Sequence, residues 1–454
     1  MADDTAMLEQ RLNDFDPETR RAALAELAAR MRAGEIEVAE PTGMVNVHYH
    51  TFFSFNYRDW SPSRIVWEAK KQGIDVAGSV DFDVLDAMDE MFEAGDVVEL
   101  RTNVALETRV YAHEFADKEF SSPGEPGVLY FMGTGFTRLP EPGSEAARIL
   151  DAMRQGARAR NEAMLERLRP VLAPVEIDYE SEVMPLGPSG SVTERHMLGV
   201  FQAKAEEMFP DEADRARYWS ERTGIAADDI RALFGDAAAF RTAIRAKLMK
   251  KGGPGYKQPD ESTFPPVRDV VRMTEAVEAI PCSTWLDGTR DGEEDAGALA
   301  DWYLGLGCLA YNIVPDRNWN IADPAERALK VRKLGEAVAA ARERDLIFSV
   351  GTEMNNYGQK FVDTFAAPEL RPFWDDFRDG ALILYGHTLC QRALGKGRMS
   401  PWARDAFGDD RAAANAFYLD VGRLGFPPQA ARAALAKLPE DCDSRQIHAA
   451  LDRR

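Results

Sequence analysis

The run HYH at positions 48–50 places two of the chain's six histidines two residues apart. On a β-strand, residues i and i+2 face the same side, so both imidazoles can converge on one point. Neutral imidazole is the commonest metal ligand near pH 7, although such a pair also sits comfortably on a half-buried strand with no ligand. Further polar residues follow short apolar runs: Asp81 and Asp83 after IDVAGSV, Glu107 in VALETR, Asp287 after CSTWL, Glu353 with Asn355 and Asn356 after LIFSVG, and His387 after ALILYG. Acids, amides and imidazoles at successive strand ends suit one shared pocket. Taken singly, Asp81 or Asp287 would equally serve as a helix cap. His387 reads as an added ligand, a general acid–base group, or a histidine satisfied by the helix after it.

The elements that must position these groups alternate in period. Residues 1–40 read as helices: Asp16 precedes Pro17 as an N-cap, and Leu24, Leu27 and Met31 form an apolar stripe. From Met44 the chain alternates strands with helices of about ten residues, the signature of β-α units around a parallel sheet or barrel. MVNVHYH is a strand, Pro62 and Ser63 open a helix that ends at Gly73, and IDVAGSV is the next strand. A helix through LDAMDEMFEAG, then VALETRVYAH and GVLYFMGTGF, complete a first block over 41–140. Residues 141–255 are Ala/Arg/Glu-rich and read as a helical insertion, broken by PLGPSGS at 185–191 and closed by the hinge KKGGPGYKQPDE at 250–261. The β-α rhythm resumes over 256–399 with CSTWL, CLAYNIV and LIFSVGTEM, and ALILYGHT reads as one more strand end or strand-to-helix turn. Residues 400–454 are helical again. The expected fold is a distorted β/α barrel of about seven strands with a helical insertion and helical N- and C-terminal extensions. An open α/β sheet is the alternative.

Composition bounds the partners. The 454 residues carry 55 basic and 76 acidic side chains, a net charge of −21, which argues against binding a nucleic-acid backbone or an anionic membrane. It leaves room for a local basic pocket holding one small anion. No apolar run reaches the roughly 18 residues of a membrane span. The acidic start MADDTAMLEQ lacks the order of a signal peptide, and four scattered cysteines form neither a CxxC pair nor a disulfide framework. A reduced, cytoplasmic protein is expected. Dinucleotide, P-loop and nucleophile-elbow motifs are missing from the sequence.

The order of these motifs resembles the polymerase and histidinol phosphatase (PHP) domain. Its first motif, HxHTxxSDG, is similar to HYHTFFSFN at 48–56, its acidic turn to VDFD at 80–83, and its strand-ending Glu to ALE at 105–107. VTERHMLGVF at 192–201 resembles the R-P-H-I-A motif of small PHP phosphoesterases that carry a helical insertion. STWLDG (283–288) and VGTEMN (350–355) align with the later signatures, and the resemblance spans about residues 44–395. Phe55, Phe82, Tyr130 and Trp285 stand where family members carry metal-binding acids or histidines, so the resemblance does not imply the full metal cluster. It implies instead one divalent ion, Zn²⁺, Mn²⁺ or Fe²⁺, on His48, His50, Glu107 and Glu353. The family uses the shorter Asp where Glu353 stands, and Asn355, two residues on, would point the same way if the segment were extended.

The resemblance further implies Arg195 and His196 as contacts to a substrate phosphate, although Arg195 would also be ordinary on a helix face. The expected activity is metal-dependent hydrolysis of a small phosphorylated or anionic substrate, with Asp81 or His387 carrying the proton and Asn355 binding substrate. Two alternatives follow from the lost ligands: a catalytically silent ligand-binding or assembly module, and a metal enzyme of non-phosphatase chemistry.

Overall fold

A computed structural model describes residues 2–424 and 427–452; the outermost positions of the 1–40 and 400–454 segments, and residues 425–426, lie outside it. Seven strands form one sheet in chain order: β1 (Val45–Tyr49), β2 (Val76–Phe82), β3 (Arg101–Tyr111), β4 (Val128–Thr134), β5 (Ile280–Trp285), β6 (Ala310–Ile313) and β7 (Ile347–Val350). Ser61 accepts from the Arg64 N–H and Pro62 occupies the first turn, which starts the crossover helix Pro62–Lys71 between β1 and β2. Helices Met88–Val98, Ala296–Leu306 and Pro324–Arg342 make the corresponding crossovers before β3, β6 and β7. The strands are buried on both faces, as parallel strands flanked by helices must be.

The sheet is mixed rather than wholly parallel. β1, β2 and β3 run parallel, β4 is antiparallel to both β3 and β5, and β5, β6 and β7 are parallel again. The segment between β3 and β4 holds only a three-residue helical turn and no crossover helix of the kind that joins the parallel pairs. The sheet then curls into a nearly closed barrel. Just past β7, the Glu353 N–H donates to the His48 carbonyl (2.8 Å) and the His50 N–H donates to the Glu353 carbonyl (2.7 Å). Gly351 permits this approach, because a Cβ there would lie 2.2 Å from Asn46 Oδ1 and 2.6 Å from the His48 Cβ.

ALILYGHT is not a strand end. It lies within the helix Trp374–Leu394, whose residues 380–391 are all buried. A helix covered on every side has no polar face, and its apolar run is then indistinguishable by periodicity from a buried strand. The N-terminal helices Ala2–Arg11 and Pro17–Arg32 pack Leu8, Leu24 and Leu27 into the same core as the barrel. The helices between β4 and β5, from Glu145–Leu172 to Ala237–Leu248, build a separate core around Trp219, Phe201 and Phe240. Among the described residues, no helix is long and apolar enough to cross a membrane.

Candidate metal centre

β1 and β3 deliver the three groups at the heart of the site. His48, His50 and Glu107 are buried, and one ligand atom from each lies within 4.8 Å of the other two. Register explains the convergence: Glu107 pairs with Phe82, the last residue of β2, so it reaches the barrel end where β1 delivers its histidines.

Hydrogen bonds fix the two tautomers. His48 Nδ1 donates to Asn312 Oδ1 on β6 (3.0 Å), which leaves Nε2 as a lone pair. Asp81 accepts from Ser54 Oγ (2.6 Å), the Thr51 N–H (2.8 Å) and Thr51 Oγ1 (2.7 Å). With its proton committed to Asp81, the Ser54 oxygen can only accept from His50 Nδ1, 3.3 Å away. The Nε2 atoms of both histidines are buried without a hydrogen-bond partner, although His50 Nε2 lies 3.3 Å from Glu107 Oε2.

Two imidazole lone pairs and a carboxylate facing one another repel unless a cation sits between them, and each histidine is oriented from behind in the manner of a metal ligand. The donor set fits a divalent ion. Burial pushes His50 down to about 4 and also lowers His48, so both imidazoles stay neutral at physiological pH. Burial, with Glu353 adding to it against the pull of His48, pushes Glu107 up to about 7.

A pH dependence follows. Below about pH 7 Glu107 holds a proton that an incoming ion must displace, whereas His50 releases none above about pH 4 and burial also favours neutral His48. Metal affinity should fall about tenfold per pH unit below 7 and level off above it. Metal titrations from pH 5.5 to 8 test this; an affinity flat down to pH 5.5 would contradict it.

Glu353 is held differently. Burial pushes its carboxyl up, but Arg317 and then the two histidines pull it below the ordinary range. Its Oε2 accepts from Arg317 Nη2 (2.6 Å) and Gln359 Nε2 (3.1 Å), and it stands outside the three-residue group. Glu353 and Met354 both have left-handed backbone (φ 66° and 56°), so the segment is not extended and strand alternation does not reach Asn355. Asn355 nevertheless lines the cavity described below and accepts from Asn356 Nδ2 (2.9 Å).

The two proton-carrier candidates lie elsewhere. Asp81 is buried behind His50 with its oxygens taken by Thr51 and Ser54, the place of a residue that positions the imidazole. His387 Nε2 lies 2.9 Å from the Gly135 carbonyl, and its Nδ1 accepts from the Arg398 N–H (2.8 Å). Both its nitrogens are satisfied, because the histidine sits mid-helix and not at a strand end.

A cavity of about 1010 Å³ opens between this barrel end and the insertion. Glu107, Glu353, Asn312 and Arg317 line it, together with Phe82, Tyr130 and Trp285. Phe82 lies against His50, with ring centroids 4.3 Å apart. Arg195 lines the cavity, donates to Asn356 Oδ1 (2.6 Å), and lies 5.0 Å over the Phe55 ring. His196 turns its Nδ1 to the Thr193 N–H (3.0 Å) as part of a helix cap, with its ring edge-on to Phe55. Sequence reading missed Asn312 and Arg317. Asn312 left a trace, as the single polar residue in the otherwise apolar and aromatic strand β6, AYNI.

No protein-family model and no curated protein matches the sequence. Among solved structures, the fold is similar to an amidohydrolase from Chromobacterium violaceum with bound sulfate and no metal. That alignment has a TM-score of 0.47 and 14% identity over 74% of this chain and 96% of the other. A protein from Bifidobacterium adolescentis assigned as a metal-dependent phosphoesterase aligns with a TM-score of 0.45 and 16% identity, over 73% of this chain and 96% of that one.

Proposed function

We propose that the protein is a PHP-type metal-dependent hydrolase that uses one divalent ion and acts on a small phosphorylated or otherwise anionic substrate. The observation that carries this reading is the buried group of His48, His50 and Glu107, with two unpartnered Nε2 atoms facing a carboxylate. When bound there, the ion would activate water or polarise a substrate oxygen.

The chain's own residues supply the rest. The cavity is lined by ten Arg and Lys side chains against five acids, the reverse of the chain's −21 balance. Arg195 has no carboxylate among its hydrogen bonds, and burial with Arg245 nearby lowers it to about 10, still cationic at neutral pH. Burial also brings Lys250, beside the same arginines, down to about 8. Cations crowded together along a cavity favour an anion entering among them. Tyr130, held above the usual phenol range by burial, keeps its proton and offers an O–H donor. Phe82 against His50 takes up space where the resembling family places a further ligand, which supports a single ion. The same packing favours, as a second reading, a metal enzyme of non-phosphatase chemistry.

The test is hydrolysis of a panel of phosphomonoesters and carboxylate esters by metal-loaded protein, with Arg195→Ala alongside. Turnover of phosphomonoesters is expected, with KM raised at least about tenfold in the variant by loss of a charge-assisted contact. Turnover of carboxylate esters alone would favour the second reading. No turnover by protein that binds the metal would favour a silent binding module.

A further inference from the structure

Glu353 stands between two partners. Its backbone is fastened to β1 on either side of Tyr49, through the His48 carbonyl and the His50 N–H, which fixes its Cα beside both histidines. Its carboxylate is turned to Arg317, which rides on the four-residue helix Asp316–Trp319 after β6. The two ends of this ion pair differ in exposure: the Glu353 side chain is 5% exposed, while Arg317 is 39% exposed and lines the cavity. A buried carboxylate is therefore held by a cation that a cavity ligand can reach. Arg317 also attracts Glu107, so a single cation serves both carboxylates of the site.

We propose that Arg317 is a positioning residue that couples anion binding to metal binding. An anionic substrate draws the guanidinium of Arg317 onto its own oxygens, and the released Glu353 joins His48, His50 and Glu107 as a fourth ligand. The inference rests on the metal-hydrolase reading above and adds to it the device that makes the centre complete only when substrate is present.

Chemistry and charge support the exchange. Guanidinium offers a planar fork of donors that matches phosphate, sulfate or carboxylate oxygens in pairs, whereas here only its Nη2 engages Glu353. Only the guanidinium end of the pair is open to the cavity, so an incoming anion can compete for Arg317 there. With both carboxylates ionised, Glu107, Glu353 and Arg317 sum to −1, which repels an anion; a divalent ion changes the sum to +1, which attracts one. Linkage then requires reciprocity, since an anion that tightens the metal must be tightened by it to the same extent.

Mn²⁺ titration, followed through the electron paramagnetic resonance signal of the free ion, tests this with and without inorganic sulfate as the probe anion. In the unaltered protein, sulfate should tighten Mn²⁺ about tenfold, within the usual range of coupling between sites. Arg317→Gln should bind Mn²⁺ more tightly without sulfate and lose the response, because Glu353 is already free. Arg317→Lys, which keeps the charge and loses the fork, should retain a reduced response and guards against a folding defect in the first variant. Glu353→Gln should show no response and remain at the weaker affinity. A sulfate response that persists in full in Arg317→Gln, or Mn²⁺ affinity unmoved by saturating sulfate in the unaltered protein, overturns the proposal. Failure of all four proteins to take up Mn²⁺ overturns the metal reading beneath it instead.

Discussion

His50→Ala is expected to lower metal affinity by more than the 10- to 100-fold that loss of an outer-shell partner costs, and to abolish turnover. In the proposed centre His50 would give the ion an Nε2 atom that has no other partner, and its ring is already aimed by Ser54 and Asp81. Asn312→Leu, which takes away only the acceptor that orients His48, should fall within the 10- to 100-fold range. Equilibrium metal titrations of the two variants order the effects. Equal losses in both would mean that the histidine is structural and not a ligand.

Gly386→Ala is expected to destabilise the fold by about 3 kcal/mol, the upper end of the cost of overpacking. Gly386 lies on the buried helix Trp374–Leu394, where an added Cβ would meet the Tyr418 carbonyl oxygen at 2.0 Å. Gly422, on the partner helix Arg411–Arg423, makes the reciprocal approach, with its Cβ position 2.1 Å from the Leu382 carbonyl. Both obstacles are backbone atoms, so no rotamer change relieves them, and the two helices must separate. Gly305 is the control. It sits in a helix with nothing within 4 Å of an added Cβ, and Gly305→Ala should stabilise by about 0.5–1 kcal/mol. Denaturant unfolding distinguishes the two; a Gly386→Ala protein as stable as the unaltered chain would show that the helices do not pack this closely.

The sequence made the site's inner part legible because that part is local. His48 lies on β1 and His50 one residue past its end, and Glu107 ends an apolar run in the same block. Strand alternation carries that much information. Asn312 was not legible, because it meets His48 across 264 residues and only when β6 and β7 curl round to β1. Arg317 depends on the same closure and on a four-residue helix too short to leave a periodic trace. His387 misled for the opposite reason: a histidine after an apolar run imitates a strand end, and only burial on every side shows the run to be helical. The left-handed turn at Glu353 and Met354 is likewise invisible in residue types, since neither is glycine. Strand alternation therefore said nothing reliable about Asn355. The antiparallel β4 could be inferred only from what the 112–127 segment lacks, a helix long enough to cross over.

Elemental analysis of the purified protein, after reloading with Zn²⁺, Mn²⁺ or Fe²⁺ and removal of free ion, tests the central claim most directly. About one equivalent per chain is expected, lost in His48→Ala while the protein keeps its fold by circular dichroism. Two or three equivalents would mean that Phe82, Tyr130 and Trp285 do not limit the centre to a single ion. No retained metal, or an equivalent that survives His48→Ala, would contradict the assignment of His48, His50 and Glu107 as the metal centre.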